Sequence, residues 1–109
     1  MAAELLLFVS DDVAVIVRRV TAHVDGLTWD LVVRLGERQP RPIDRRELTH
    51  RVEWAGGSTP AEYRGAGSTT ESYVGEFTAA VSGDVTFVFD WPARGISDAR
   101  ASLARPPRP

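Results

Sequence analysis

The chain has 109 residues, 43% of them hydrophobic, with a formal net charge of −2 and no cysteine. That is one domain with apolar content enough for a single core, and it excludes disulfides, zinc–thiolate centres and thiol nucleophiles. All thirteen basic residues are arginine, and lysine and asparagine are both absent. This pattern fits GC-rich coding better than phosphate recognition, and the acidic balance opposes a nucleic-acid partner.

The apolar run Leu5-Leu6-Leu7-Phe8-Val9 reads as a first strand, closed by the turn residues Ser10-Asp11-Asp12. A second strand covers about 13–24, apolar on both faces at first and then alternating through Val20, Ala22 and Val24. Arg18-Arg19 stands where the pattern changes, which suits a bulge. Asp25-Gly26 follows as the chemistry of a tight hairpin. The third strand alternates most cleanly, with Leu27, Trp29, Leu31, Val33 and Leu35 on one face. Residues 36–47 form a charged, proline-bearing loop with four arginines, and a fourth strand then sets Leu48, His50, Val52 and Trp54 on one side.

Residues 55–70 are rich in Gly, Ser and Thr and carry no period, so they are expected to form a long irregular loop. Tyr73, Phe77, Ala79 and Val81 share a parity and define a fifth strand, and Ser82-Gly83-Asp84 turns the chain into a sixth, Val85-Phe87-Phe89-Trp91. Pro92 ends that strand. Ala99, Ala101 and Leu103 mark a last short strand, although Ser97-Asp98 could equally cap a helical turn. Seven strands at this spacing predict an all-β fold: a single antiparallel two-sheet sandwich, Ig-like, with a barrel as second choice. The sandwich is assigned to 1–104 and a Pro/Arg-rich tail to 105–109. The start lacks the features of a signal peptide, and no stretch is long and apolar enough for a membrane helix, so a cytoplasmic protein is expected.

Two groups of segments resemble a known family. Asp12-Val13-Ala14-Val15 runs on through Arg18-Arg19-Val20-Thr21-Ala22 to Asp25-Gly26-Leu27, and the most specific stretch is Val85-Thr86-Phe87-Val88-Phe89-Asp90-Trp91-Pro92-Ala93-Arg94-Gly95-Ile96. They cover about half the chain and are similar to small all-β proteins of high-GC bacteria for which no activity is established. The resemblance implies a β-sandwich. It implies no cofactor and no site.

The residues themselves offer few candidate sites. His50 shares the buried parity of its strand and reads as a hydrogen-bonded core residue, whereas His23 lies on a polar face. Two histidines on different faces make a poor metal site. Asp11-Asp12 lacks a calcium-loop spacing. Ser58, Ser68 and Ser72 lack a nucleophile elbow, and Asp30 and Asp90 sit on polar strand faces, as solvated carboxylates do. No catalytic residue, cofactor or metal ligand is assigned. Trp29 and Trp54 follow core parity. Trp91 does too, but Pro92 leaves it at a strand end, so it joins Tyr63 and Tyr73 as an aromatic candidate for contact.

The expected function is that of a non-catalytic interaction module, an accessory or assembly protein acting through its loops or a sheet edge. The candidate contact residues are Arg38, Arg41, Arg45, Arg46, Tyr63, Arg64, Tyr73, Trp91, Arg105 and Arg108. The partner would be another protein or a second copy. A small-ligand or carbohydrate-binding module is the alternative, and a hydrolase of unknown type the third reading.

Overall fold

The computed structural model describes residues 3–36, 47–68 and 72–106. Within them the chain forms β1 (Ala3–Val9), β2 (Val13–His23), β3 (Gly26–Leu35), β4 (Thr49–Trp54), β5 (Gly57–Pro60), β6 (Glu62–Ser68), β7 (Ser72–Ala79), β8 (Val85–Trp91) and β9 (Ile96–Leu103). They pair into two antiparallel sheets, ordered β1-β2-β3-β7-β6 and β5-β4-β8-β9. The fold is all-β and is not closed into a barrel.

All seven expected strands are present, and two more, β5 and β6, run through the stretch expected to be an irregular loop. Both are edge strands, β5 pairing only with β4 and β6 only with β7. An edge strand can be held by backbone hydrogen bonds on one side alone, so it needs no apolar alternation, and Gly57-Ser58-Thr59-Pro60 shows none.

The core follows the predicted parity. Val13, Val15 and Val17 of β2, the odd positions 27–35 of β3, and Val85, Phe87, Phe89 and Trp91 of β8 are all buried. Phe87 meets Trp29 edge-on at 5.0 Å between ring centroids, which joins the two sheets at their centre. Each such side chain contributes roughly 1.5–3 kcal/mol through removal of apolar surface from water.

Three turns show how the local chemistry works. The β2–β3 hairpin forms, but His23 pairs with Gly26, so its two turn residues are Val24 and Asp25. Gly26 is needed for a different reason: its φ is +151°, and a Cβ there would run into the Ala79 carbonyl of the neighbouring strand. The bulge in β2 falls at the arginine pair, between Arg18 and Thr21, with Arg19 at φ 56°. Beyond β8, Pro92–Arg94 make one 3₁₀ turn that ends on left-handed Gly95, and the chain re-enters the same sheet as β9, a full strand of eight residues.

The two lateral seams of the sandwich differ. On one side a single residue, Ala61, joins β5 of one sheet to β6 of the other, and its N–H donates to the His50 carbonyl at 3.0 Å. On the other side β1 lies beside β9, and among the described residues no hydrogen-bonded pairing joins them.

Candidate functional site

His50 lies on the inward face of β4, where Trp29 crosses from the other sheet. The Trp29 indole Nε1–H donates to His50 Nε2 at 2.9 Å, and His50 Nδ1 lies 2.7 Å from the Val88 carbonyl oxygen. A carbonyl only accepts, so Nδ1 carries the proton and Nε2 is the acceptor. Burial lowers the His50 pKa from 6.5 to about 4, against the opposing pull of the Val88 carbonyl. Both nitrogens are occupied within a ring of Trp29, Phe77, Phe87 and Phe89. This is a neutral structural imidazole bridging the sheets, with no lone pair left for a metal or a substrate proton.

The outer face of the four-stranded sheet is closed by its own charges. Arg100 grips Glu53 with both terminal nitrogens and also reaches Asp98. Arg51 spans Asp90 at 3.1 Å and Asp98 at 3.2 Å. Hydrogen bonding from Arg100 holds the Glu53 and Asp98 carboxyls below their ordinary pKa values, and the two carboxylates raise that of Arg100 in return. Val88, on this same outer side, stands between Arg51 and Arg100 in register and has no exposure at all. Arginine stems can cover an aliphatic side chain while their heads stay in water.

The outer face of the five-stranded sheet is different. Leu6 pairs with Ile16, Ile16 with Val32, and Val32 with Val74, an apolar row running from the β1 edge across four strands. Val32 is 2% exposed, but Leu6 at the edge is 56% exposed and Val9 62%. A register shift between Leu6 and Phe8 puts Leu6 and Val9 on the same outward side, where a regular strand would have aligned Leu6 with Phe8. The other edges are protected in familiar ways: β5 is four residues long and ends in Pro60, β6 carries Glu62 and Arg64, and β9 carries Asp98 and Arg100. From Leu5 to Val9, β1 has neither a charge nor a proline.

The predicted contact residues do not converge. Trp91 is fully buried, its indole N–H reaching Glu47 at 3.4 Å and Arg94 lying over its ring, so it offers no contact surface. Pro92 ends the strand, but the inward parity of position 91 outweighs that end effect. Tyr63 is 39% exposed on β6 and packs edge-on against Phe77. Arg64 and Arg105 are exposed at separate places. Tyr73 stands opposite Val33 in β7, its side chain outside the described part, and Arg38, Arg41, Arg45, Arg46 and Arg108 lie outside the described residues. Asp30 and Asp90 lie on the outer faces of different sheets, Asp30 against Arg18 and Arg19 and Asp90 against Arg51, so they cannot share a substrate. Among the described residues, no three His, Asp or Glu side chains gather as a metal site, and no helix is long and apolar enough to cross a membrane. Leu6 and Val9 were missed because an all-apolar run carries no parity to say which residues face outward.

The fold therefore defines the class, a two-sheet antiparallel β protein, with an apolar row opening at one edge. Comparison with family models, curated proteins and solved structures finds no match to this chain.

Proposed function

We propose that this protein is a non-catalytic contact module that receives another polypeptide along β1 and the adjoining outer face of the five-stranded sheet. The observation that carries the reading is the exposure of Leu6 and Val9 on an edge strand that from Leu5 to Val9 carries neither a charge nor a proline. An edge strand presents unpaired backbone donors and acceptors, so an extended segment can add to the sheet, while the apolar row takes its alternate side chains. Contiguous exposed apolar residues on an otherwise charged surface mark such contacts.

The test is purification of the tagged protein from its own host beside Leu6→Arg and Arg64→Ala variants. A stoichiometric partner that survives Arg64→Ala and is lost with Leu6→Arg supports the reading. A partner indifferent to Leu6→Arg moves the contact elsewhere. A monomer recovered alone in all three preparations overturns it.

A further inference from the structure

On the outer face of the five-stranded sheet, β3 presents Asp30, Val32 and Arg34 in turn: acid, apolar, base, at steps of about 6.8 Å. Cross-strand register extends each of them into a row. Val32 belongs to the apolar row that runs from Leu6 through Ile16 to Val74. On one side of it Asp30 stands between Arg18 and Glu76, with Glu4 continuing that row on β1. On the other side Arg34 stands between Ala14 and Ser72, neither of them charged.

These charges are only partly settled within the chain. Asp30 Oδ2 lies 3.5 Å from a terminal nitrogen of Arg19 and 4.0 Å from Arg18 Nε, so its charge is met. Glu76 is exposed directly opposite Asp30, a like-charged pair across β3 and β7. It has no cationic partner among the described residues, and Arg34, also exposed, has no carboxylate partner among them. Arg34 and Glu76 cannot serve each other, because four residues, or about 14 Å, separate them along the ladder. The apolar row therefore lies midway between an unmet acid and an unmet base.

We infer that this face packs sheet on sheet against a second copy of the chain, related by a two-fold axis that lies between the sheets and across the strands. Such an axis reverses strand direction and lays the apolar row on its own counterpart, Val32 over Val32 of the second copy. The acidic row of each copy then lies over Arg34 of the other, so Arg34 reaches Glu76 of the second copy, twice. An axis along the strands would set acid on acid and Arg34 on Arg34. A patch complementary to itself is what a two-fold interface requires, and aligned packing of two sheets about 10 Å apart supplies the contact. Five strands and the length of β3 give a face of roughly 700 Å², close to the roughly 800 Å² per partner of a standard interface. The inference rests on the contact reading above and names its polypeptide as this chain itself.

Sedimentation equilibrium of the full chain, from about 1 µM to about 500 µM, brackets a dissociation constant in the micromolar range. The expected result is a dimer. Arg34→Glu and Glu76→Arg each set like charges against one another in both contacts and should weaken it at least about tenfold. Both positions are exposed, so the far-ultraviolet circular dichroism of each variant should match that of the unaltered chain. Mixed in equal amounts, the two variants should dimerise again, because acid then faces base in both contacts. A monomer at every concentration overturns the inference, as does a dimer that neither substitution weakens or a mixture that stays apart. A monomer that still captures a host partner, lost with Leu6→Arg, overturns the second copy but leaves the contact reading standing. A monomer with no partner removes both.

Discussion

Val32 and Val88 are the same residue in matching places, each at the middle of an outer sheet face and each almost wholly shielded from water. What shields them differs. Val88 lies between Arg51 and Arg100, whose heads are tied to Asp90, Asp98 and Glu53, so the face above it is complete and wet. Val32 lies between Ile16 and Val74, which are themselves only half covered, and the row continues to Leu6 at the open edge. One sheet resolves its outer face internally. The other passes its apolar surface outward until the strands run out, and that is where a partner has something to gain.

Beneath both faces is a shared core, and the comparison assumes it is common to them. Phe87→Ala should cost about 3–5 kcal/mol, because a fully buried ring against Trp29 leaves a cavity between the sheets. Urea unfolding checks this, and a loss near that of a surface change would mean the faces do not rest on one core.

The next effect is the coupling of the sheets through Trp29 and His50. The folded-state pKa of His50 is depressed, so well above pH 6.5 the ring is uncharged in both the folded and unfolded chain and contributes no pH dependence. As pH falls below 6.5 the unfolded chain takes up a proton that the folded chain refuses until about pH 4. Stability should therefore fall across that window by about 3 kcal/mol. His50→Gln keeps an amide oxygen for the indole and removes the titration. If its slope between these pH values equals that of the unaltered chain, His50 is not the group responsible.

A finer comparison pairs Val32→Ala with Val88→Ala. Each removes two buried carbons and should cost about 1.5–2 kcal/mol by chemical denaturation. Near-equal costs would show that arginine stems shelter a valine as well as aliphatic neighbours do. The smallest effect expected is that of salt. In about 1 M NaCl, where the screening length is about 3 Å, the exposed pairs of Arg51 and Arg100 weaken, yet the urea midpoint should barely move. A large drop would show that ion pairing, and not the cover over Val88, holds that face.

How much of this was legible in the sequence depended on which residues were asked to face both ways. The strands with one wet and one dry side, such as Leu27-Thr28-Trp29-Asp30-Leu31, announced themselves by alternation and were placed correctly. β5 and β6 did not, because Gly, Ser and Thr at an edge pair through backbone alone. Asp25-Gly26 marked the right hairpin, but Gly26 answers to the Ala79 carbonyl of another strand, a contact no local signal contains. The site suffered the same limit. β1, apolar from Leu5 to Val9, has no alternation to show that Leu6 and Val9 face outward.

The chain also passes between the sheets from β3 to β4 and from β7 to β8, but the single residue between β5 and β6 does so along a lateral edge, like the spine of two covers. Pro60, Ala61 and Glu62 are that spine, pinned at the His50 carbonyl, and the fore-edge is β1 lying beside β9, with no hydrogen-bonded pairing between them among the described residues. Opening motions that expose the interior should then begin along β1 and β9 and travel towards the spine, so their amides should exchange sooner than those of β3 and β8. A strand laid along β1 would do more than cover Leu6 and Val9. It would act as a clasp on the unbound side, and a partner would be felt as lost breathing in strands it never touches.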